Sequence, residues 1–167
     1  SVYRKERLDT NLLIEDFMLL ANRQVALYWF ELSKKSAWMQ NAFIYRIHNV
    51  PDKEKIEELA IFLRALGYEL NTRSGSVSGK DINEVFKKIK GTPEEELIKI
   101  ATVRSMAKAV YATKNIGHFG LGFDYYTHFT SPIRRYADIL VHRLLNEYLQ
   151  DKKVSEKKFH FYERISK

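Results

Sequence analysis

Three glycines within six residues, Gly117, Gly120 and Gly122, break up the aromatic and histidine-rich stretch from Asn115 to Thr130. Each glycine costs a helix about 1 kcal/mol relative to alanine, so this stretch reads as strand and tight turn. On both sides of it, apolar residues recur at helical spacing. The fold class that follows is α+β and predominantly helical, with a few short strands packed against several helices. A hydrophobic content of 45% over 167 residues is enough for a core, and that core must do without disulfides because the chain has no cysteine. A metal here would need His, Asp or Glu ligands.

The helical patterns can be placed one by one. Asp9, Thr10 and Asn11 are good amino-terminal caps. After them Leu13, Phe17, Leu20, Ala21, Val25 and Trp29 mark the buried face of a helix from about Asn11 to about Ser33. The segment from Phe43 to His48 alternates and stops at Val50-Pro51, which suits a short strand. Pro51-Asp52 opens a second helix with Ile56, Leu59, Ala60, Leu63 and Leu66 inward and Gly67 as its stop. Asn71 to Lys80 is a polar surface loop. Asp81 caps a short helix through Ile89, ended by Gly91, and Thr92-Pro93 with three glutamates begins another that should run to about Val110. Thr130-Ser131-Pro132 launches the most strongly patterned helix, to about Leu149. Asp151 to Lys167 is charged and helix-like to its last residue, so the chain is expected to stop inside an element. No internal repeat or composition shift marks a second domain.

Lys and Arg number 28 against 21 Asp and Glu, a formal net charge of +7, which favours a polyanionic partner such as nucleic acid or an anionic membrane face. No apolar run approaches the roughly 18 residues that cross a bilayer. Ser1 to Arg7 lacks the apolar core of a signal peptide, so a cytoplasmic location is expected.

The sign of the charge before Leu149's helix is the chemical oddity. With Ser131 as cap, Pro132, Ile133, Arg134 and Arg135 fill the first turn, where the dipole is positive and backbone N–H groups are free. Two arginines there are misplaced by about 0.3 to 1 kcal/mol each. A bound phosphate would reverse that sign, accepting from the N–H groups, the Thr130 and Ser131 hydroxyls and an arginine fork. The competing reading pairs Arg134 with Asp138 one turn later and leaves Arg135 in water. Nearby glycines permit close approach, and His118, Phe119, Tyr126 and His128 offer stacking faces and donors, which favours an anionic, partly aromatic ligand.

The run from Asn115 to Arg143 contains Gly117-His118-Phe119-Gly120, then Tyr126-Thr127-His128-Phe129-Thr130-Ser131-Pro132-Ile133-Arg134-Arg135-Tyr136-Ala137-Asp138, then His142-Arg143. It resembles the signature of the ribonuclease II and ribonuclease R family, the RNB domain, with a spelling closer to the ribonuclease R branch. Leu13-Ile14-Glu15-Asp16-Phe17 through Asn22, Tyr45-Arg46-Ile47-His48 with Pro51, and Arg104-Ser105-Met106 resemble that family in the same order. The resemblance implies a processive 3′ to 5′ exoribonuclease that takes the 3′ end of single-stranded RNA into a buried site and releases nucleoside 5′-monophosphates. It also implies Mg²⁺ held by an aspartate cluster. The family's aspartate motif lies ahead of the region matched here. The resemblance therefore places the Mg²⁺ ligands outside this chain and makes the chain alone inactive. Its implied partners are the amino-terminal part of the catalytic domain and flanking RNA-binding domains. The family's catalytic arginine falls on Arg134, expected to bind the scissile phosphate and stabilise the charge that develops on it. Thr130, Ser131 and Arg135 are expected to hold the same stretch of RNA backbone. His118, Phe119 and Gly120 are expected to line the channel near the 3′ end, with His128 and Tyr136 further along its wall. Glu15 and Asn22, seven residues apart and so near one helical face, would look into the cavity, where a carboxylate can read a ribose 2′-OH.

Each of these residues also has a plainer reading. Tyr136 shares the apolar stripe of Ile133, Leu140 and Leu144 and would then be core. Glu15 would be a solvated helix residue, His142 an internal cap, and Lys152, Lys153, Lys157 and Lys158 a solvated face. His118, His128 and His142 lack the spacing of helical metal ligands. Two rivals stand at the level of function. One is a non-catalytic single-stranded RNA-binding module of the same fold, told apart by whether an aspartate-rich string precedes Ser1. The other is a basic helical protein-interaction domain, which predicts no salt-dependent affinity for RNA.

Overall fold

The computed structural model describes residues 8–34, 43–72, 76–150, 152 and 154–166. The expectations for Ser1 to Arg7, for the centre of the 71–80 loop and for Lys153 fall outside those residues. The described chain forms two compact units. One holds the chain up to Ile47, then Val110–His118 and everything from Phe123 onward; the other holds His48–Ala109 and Phe119–Gly122.

In the first unit, helix α1 (Asp9–Ser33) starts at Leu8, whose backbone N–H is accepted by the Asn11 side chain at 3.0 Å. The polar cluster thus serves the helix start, although from inside the first turn. The buried positions of α1 are Asn22, Ala26, Trp29 and Ser33. The expected inward stripe is not buried in its first half: Leu13, Phe17 and Leu20 are exposed, together with Leu8, Leu12 and Ile14. Periodicity identifies an apolar face without saying what covers it. Strand β1 (Tyr45–Ile47) pairs antiparallel with β2 (Val110–Ala112), which sets Arg46 opposite Tyr111. The partner strand lies where a helix was expected to continue. The reason is tertiary, since Val110 and Tyr111 suit either state and pairing with β1 decides between them.

Helix α5 (Tyr136–Leu149) delivers Leu140, Val141 and Leu144 to the core around Trp29, whose indole stacks on Phe43 at 5.1 Å and meets Tyr148 at 4.2 Å. Its first helical residue is Tyr136, not Pro132, because residues 132–134 form a turn. The charged tail is more than a solvated face: in α6 (Glu156–Ser166), Tyr162 is buried against that core and Lys158 pairs with Glu147.

In the second unit, α2 (Lys53–Ala65), α3 (Gly79–Ile89) and α4 (Glu95–Ser105) bring Ile56, Leu59, Leu63, Val85, Ile89 and Ile98 together. Ser78 rather than Asp81 caps α3. Its hydroxyl accepts the Asp81 N–H at 3.3 Å while the Asp81 carboxylate accepts the Ser78 N–H at 2.9 Å, a reciprocal pair that places the acid three residues into the helix. No helix among the described residues is long and apolar enough to cross a membrane.

The contrast between buried and exposed apolar residues is measurable. Leu144→Ala should lower the stability of the chain by about 2 to 5 kcal/mol in urea unfolding, and Leu13→Ala by less than about 0.5 kcal/mol. Equal losses would show that the first half of α1 is packed.

Candidate functional site

The segment from Phe129 to Arg135 has no regular secondary structure, yet the backbone N–H groups of Phe129, Thr130, Ser131, Arg134 and Arg135 are all hydrogen-bonded. The Asn22 side-chain oxygen accepts the N–H groups of Phe129 and Thr130 at 2.8 and 3.2 Å, and the Asn22 amide donates to the Tyr126 hydroxyl at 3.2 Å. His142 donates from Nε2 to the Phe129 carbonyl at 2.9 Å, with its ring stacked on Phe129 at 3.9 Å, so it is an internal cap as the plainer reading had it. The Ser131 carbonyl accepts the N–H groups of Arg134 and Arg135 at 3.2 and 3.1 Å. The first of these bonds closes a β-turn with Pro132 at its second position, where the fixed φ of proline fits.

Asp138 holds the other side of the turn. It is 0% exposed, sits in the first turn of α5, and takes the Ser131 N–H and the Arg135 guanidinium on one carboxylate oxygen, both at 2.8 Å. The arginines therefore divide their roles in the opposite sense to the competing reading from sequence. Arg135 pairs with Asp138, and Arg134 is exposed with no ion pair or hydrogen bond from its guanidinium among the described residues. The misplaced charge is also resolved locally, because Asp138 already supplies the negative charge that this helix start favours. Ser131 is not the helix cap, and its N–H is spent on Asp138. Among the described residues, the Thr130 hydroxyl is buried without a hydrogen-bond partner, as are Arg135 Nε and the second Asp138 oxygen. What remains for an incoming anion is Arg134, at the tip.

Ile133 is 97% exposed and Tyr136 49%, so neither shares the buried stripe of Leu140 and Leu144. Both flank Arg134 because the helix has not begun at Ile133 and has only begun at Tyr136.

Behind the turn lies a wall of rings. The His128 Nδ1 and the Tyr111 hydroxyl are hydrogen-bonded at 2.8 Å, Tyr126 meets His128 and His118 edge-on at 5.7 and 5.3 Å, and the Arg46 guanidinium lies 4.7 Å over the Tyr111 ring. Burial, then the charges of Arg135 and Arg46, push the His128 pKa down to about 4, with Asp138 opposing. His128 is thus a neutral ring at physiological pH. Gly117 lets the chain fold back here. It has φ +80°, and a Cβ on it would stand 3.2 Å from the Phe123 carbonyl, beside the His118 and Phe123 bridge.

Sequence reasoning missed Arg46 and Tyr111, since residues 65 positions apart meet on two strands whose register no local pattern encodes, and it gave Asn22 a ligand-facing role. Asn22 is 3% exposed with both ends of its amide engaged, so the structure makes it a clamp on the loop. Glu15 lies on the exposed first half of α1. Phe119 and Gly120 belong to the other unit. There a single 3-10 turn, Phe119–Leu121, is tied to His48, whose Nδ1 accepts the Gly120 N–H at 2.8 Å and whose Nε2 donates to the Ala107 carbonyl at 2.6 Å. Among the described residues, no three His, Asp or Glu side chains come together to hold a metal ion. The described residues do not fit a Mg²⁺ site.

Residues 1–151 match the RNB domain family. The chain is 40% identical over 158 residues to ribonuclease R of Aquifex aeolicus, covering 95% of this chain and 21% of that protein. It thus spans about a fifth of the length of such curated relatives. Among solved structures it is similar to Mycoplasma genitalium RNase R in complex with ribose methylated single-stranded RNA, with a TM-score of 0.80 and 28% identity over 98% of this chain and 24% of that one. It is also similar to yeast Ssd1, a pseudonuclease, with a TM-score of 0.79 and 26% identity over 96% of this chain and 19% of that one.

The neutral His128 carries a pH signature. Its pKa is about 4 when folded and 6.5 when unfolded, so between those values the unfolded chain binds the proton first. Stability should be constant with respect to this group above about pH 6.5, decline as the pH falls towards about 4, and decline no further from it below that. The loss in urea midpoint between pH 7 and pH 4.5 should be smaller in His128→Gln than in the unmodified chain; an unchanged loss would assign the effect to another group.

Proposed function

The chain belongs to the RNB domain family, and from that premise we propose that it is the carboxyl-terminal part of the catalytic domain of a 3′ to 5′ exoribonuclease. The parent hydrolyses single-stranded RNA processively to nucleoside 5′-monophosphates in the cytoplasm, with Mg²⁺ bound by carboxylates outside this chain. The observation that carries the reading is Arg134: an exposed guanidinium with no hydrogen bond or ion pair among the described residues, at the tip of a loop whose backbone is hydrogen-bonded on both sides. A guanidinium is always charged and presents a fork that matches two phosphate oxygens. Held at the scissile phosphate, it stabilises the charge that builds there during attack by water. Tyr136, half-exposed beside it, offers a face to a ribose or base, and the neutral ring of His128 with His118 and Tyr126 forms the wall behind. Arg135, paired with Asp138, supports the turn instead of gripping RNA. The exposed apolar residues of the first half of α1 are the surface on which the amino-terminal part of the catalytic domain packs, since the parent is about five times longer if it resembles its relatives.

A second reading, a non-catalytic single-stranded RNA-binding module, is favoured by the likeness to a pseudonuclease. Two measurements separate the readings. In the full-length parent, Arg134→Ala should lower single-turnover cleavage by about 10² to 10³-fold while changing RNA affinity only a few-fold. Equal losses in both would give Arg134 a binding role only, and a parent that binds RNA but releases no nucleotides would support the module. The purified chain with Mg²⁺ should leave labelled RNA intact, and steady mononucleotide release would place the metal site within it.

A further inference from the structure

Among the described residues the Arg134 guanidinium has no hydrogen bond or ion pair to orient it, so its aim depends on how well its backbone is placed. The elements that usually place a backbone are absent from residues 129–135. Among the described residues, the main-chain bonds of the segment close within the turn and its junction with α5, and the bonds that tie it to the rest of the fold come from side chains: Asn22 on Phe129 and Thr130, His142 on Phe129, Asp138 on Ser131. Two of these side chains, Asn22 and Asp138, are almost wholly buried. Burying an amide or a carboxylate costs several kcal/mol unless its hydrogen bonds are made, and an apolar side chain would pack at either position without that cost. Both polar groups spend their bonds on residues 126–135. Asn22 reaches in from α1, 107 and 108 positions away in sequence, and Asp138 from the first turn of α5.

We propose that Asn22 and Asp138 are positioning residues that grip the loop from two helices and fix the direction in which Arg134 meets the scissile phosphate. The proposal rests on the reading of Arg134 given above. It predicts an effect on the reaction step more than on binding, because misplacing a transition-state group by an ångström is enough to cost about 10²-fold. It also predicts that the effect disappears when the arginine is gone.

The test is a double-mutant cycle in the full-length parent, with single-turnover cleavage and RNA affinity measured separately. N22L should lower the cleavage rate by about 10 to 100-fold with affinity changed less than about threefold, and by less than about twofold in an R134A background. N22D should recover most of the lost rate, because a carboxylate oxygen still accepts both N–H groups and the Tyr126 hydroxyl can donate in place of accepting. An N22L loss of the same factor with and without Arg134, or no rescue by N22D, overturns the positioning role. If R134A itself leaves cleavage unchanged, the reading of Arg134 fails first and takes this proposal with it, a result distinct from additivity. Should N22L not fold, D138N, which keeps the shape and removes the charge, completes the same cycle with the same expected loss of effect in R134A.

Discussion

A carboxylate with no exposure to water anchors the loop that carries Arg134. Asp138 would be costly to bury alone, by several kcal/mol, and that cost is offset because a backbone N–H and a guanidinium both converge on it. Its position in the first turn of α5 adds a favourable term of about 0.3 to 1 kcal/mol from the helix dipole, or more where the site is dry. One group thereby does three things. It places a negative charge in the first turn of the helix, holds the Ser131 N–H, and pairs with Arg135. The consequence for chemistry is subtractive: of two adjacent arginines, only Arg134 is left to meet an outside anion.

The loop would still drift if α5 were loose, and the aromatic core explains why it is not. Trp29, Phe43 and Tyr148 meet within 4.2 to 5.1 Å, joining α1, the approach to β1 and α5. The same α1 that supplies Trp29 supplies Asn22 seven residues earlier, about two turns away on the same side. The buried end of α1 therefore carries both the packing and the hydrogen bonds that define the loop. Its other end, with Leu13, Phe17 and Leu20 in solvent, contributes little to either within this chain.

The helices were legible in the sequence because their signals are local: apolar residues at helical spacing, polar residues at the starts, glycines at the stops. The error at Pro132 is instructive, since proline is favoured both at the first position of a helix and at the second position of a β-turn. Choosing between them required knowing that Asp138 bonds to Ser131, seven residues back, and that its partner is Arg135 and not Arg134. The spacings of three and four residues are both allowed on a helix, so the sequence leaves the pairing open. Likewise the stripe on α1 was visible while its cover was not, and the clamp role of Asn22 depends on a contact more than a hundred residues away. Local chemistry singled out the segment; long-range polar contacts decide which atom in it is available.

That availability has a physical limit set by exposure. A guanidinium and a phosphate about 4 Å apart attract by about 1 kcal/mol in bulk water and about 4 kcal/mol at the effective dielectric of a protein surface cleft. Arg134 in this chain is exposed, which puts it towards the first limit, beside an exposed Ile133 and a half-exposed Tyr136. Covering those apolar neighbours would exclude water from the guanidinium at the same time, and so raise its hold on a phosphate severalfold without any new polar contact. The exposed apolar residues around the arginine and the weakness of a solvated charge are then two aspects of one requirement: the loop is shaped in advance by Asn22 and Asp138, but its electrostatic strength depends on whatever closes over it.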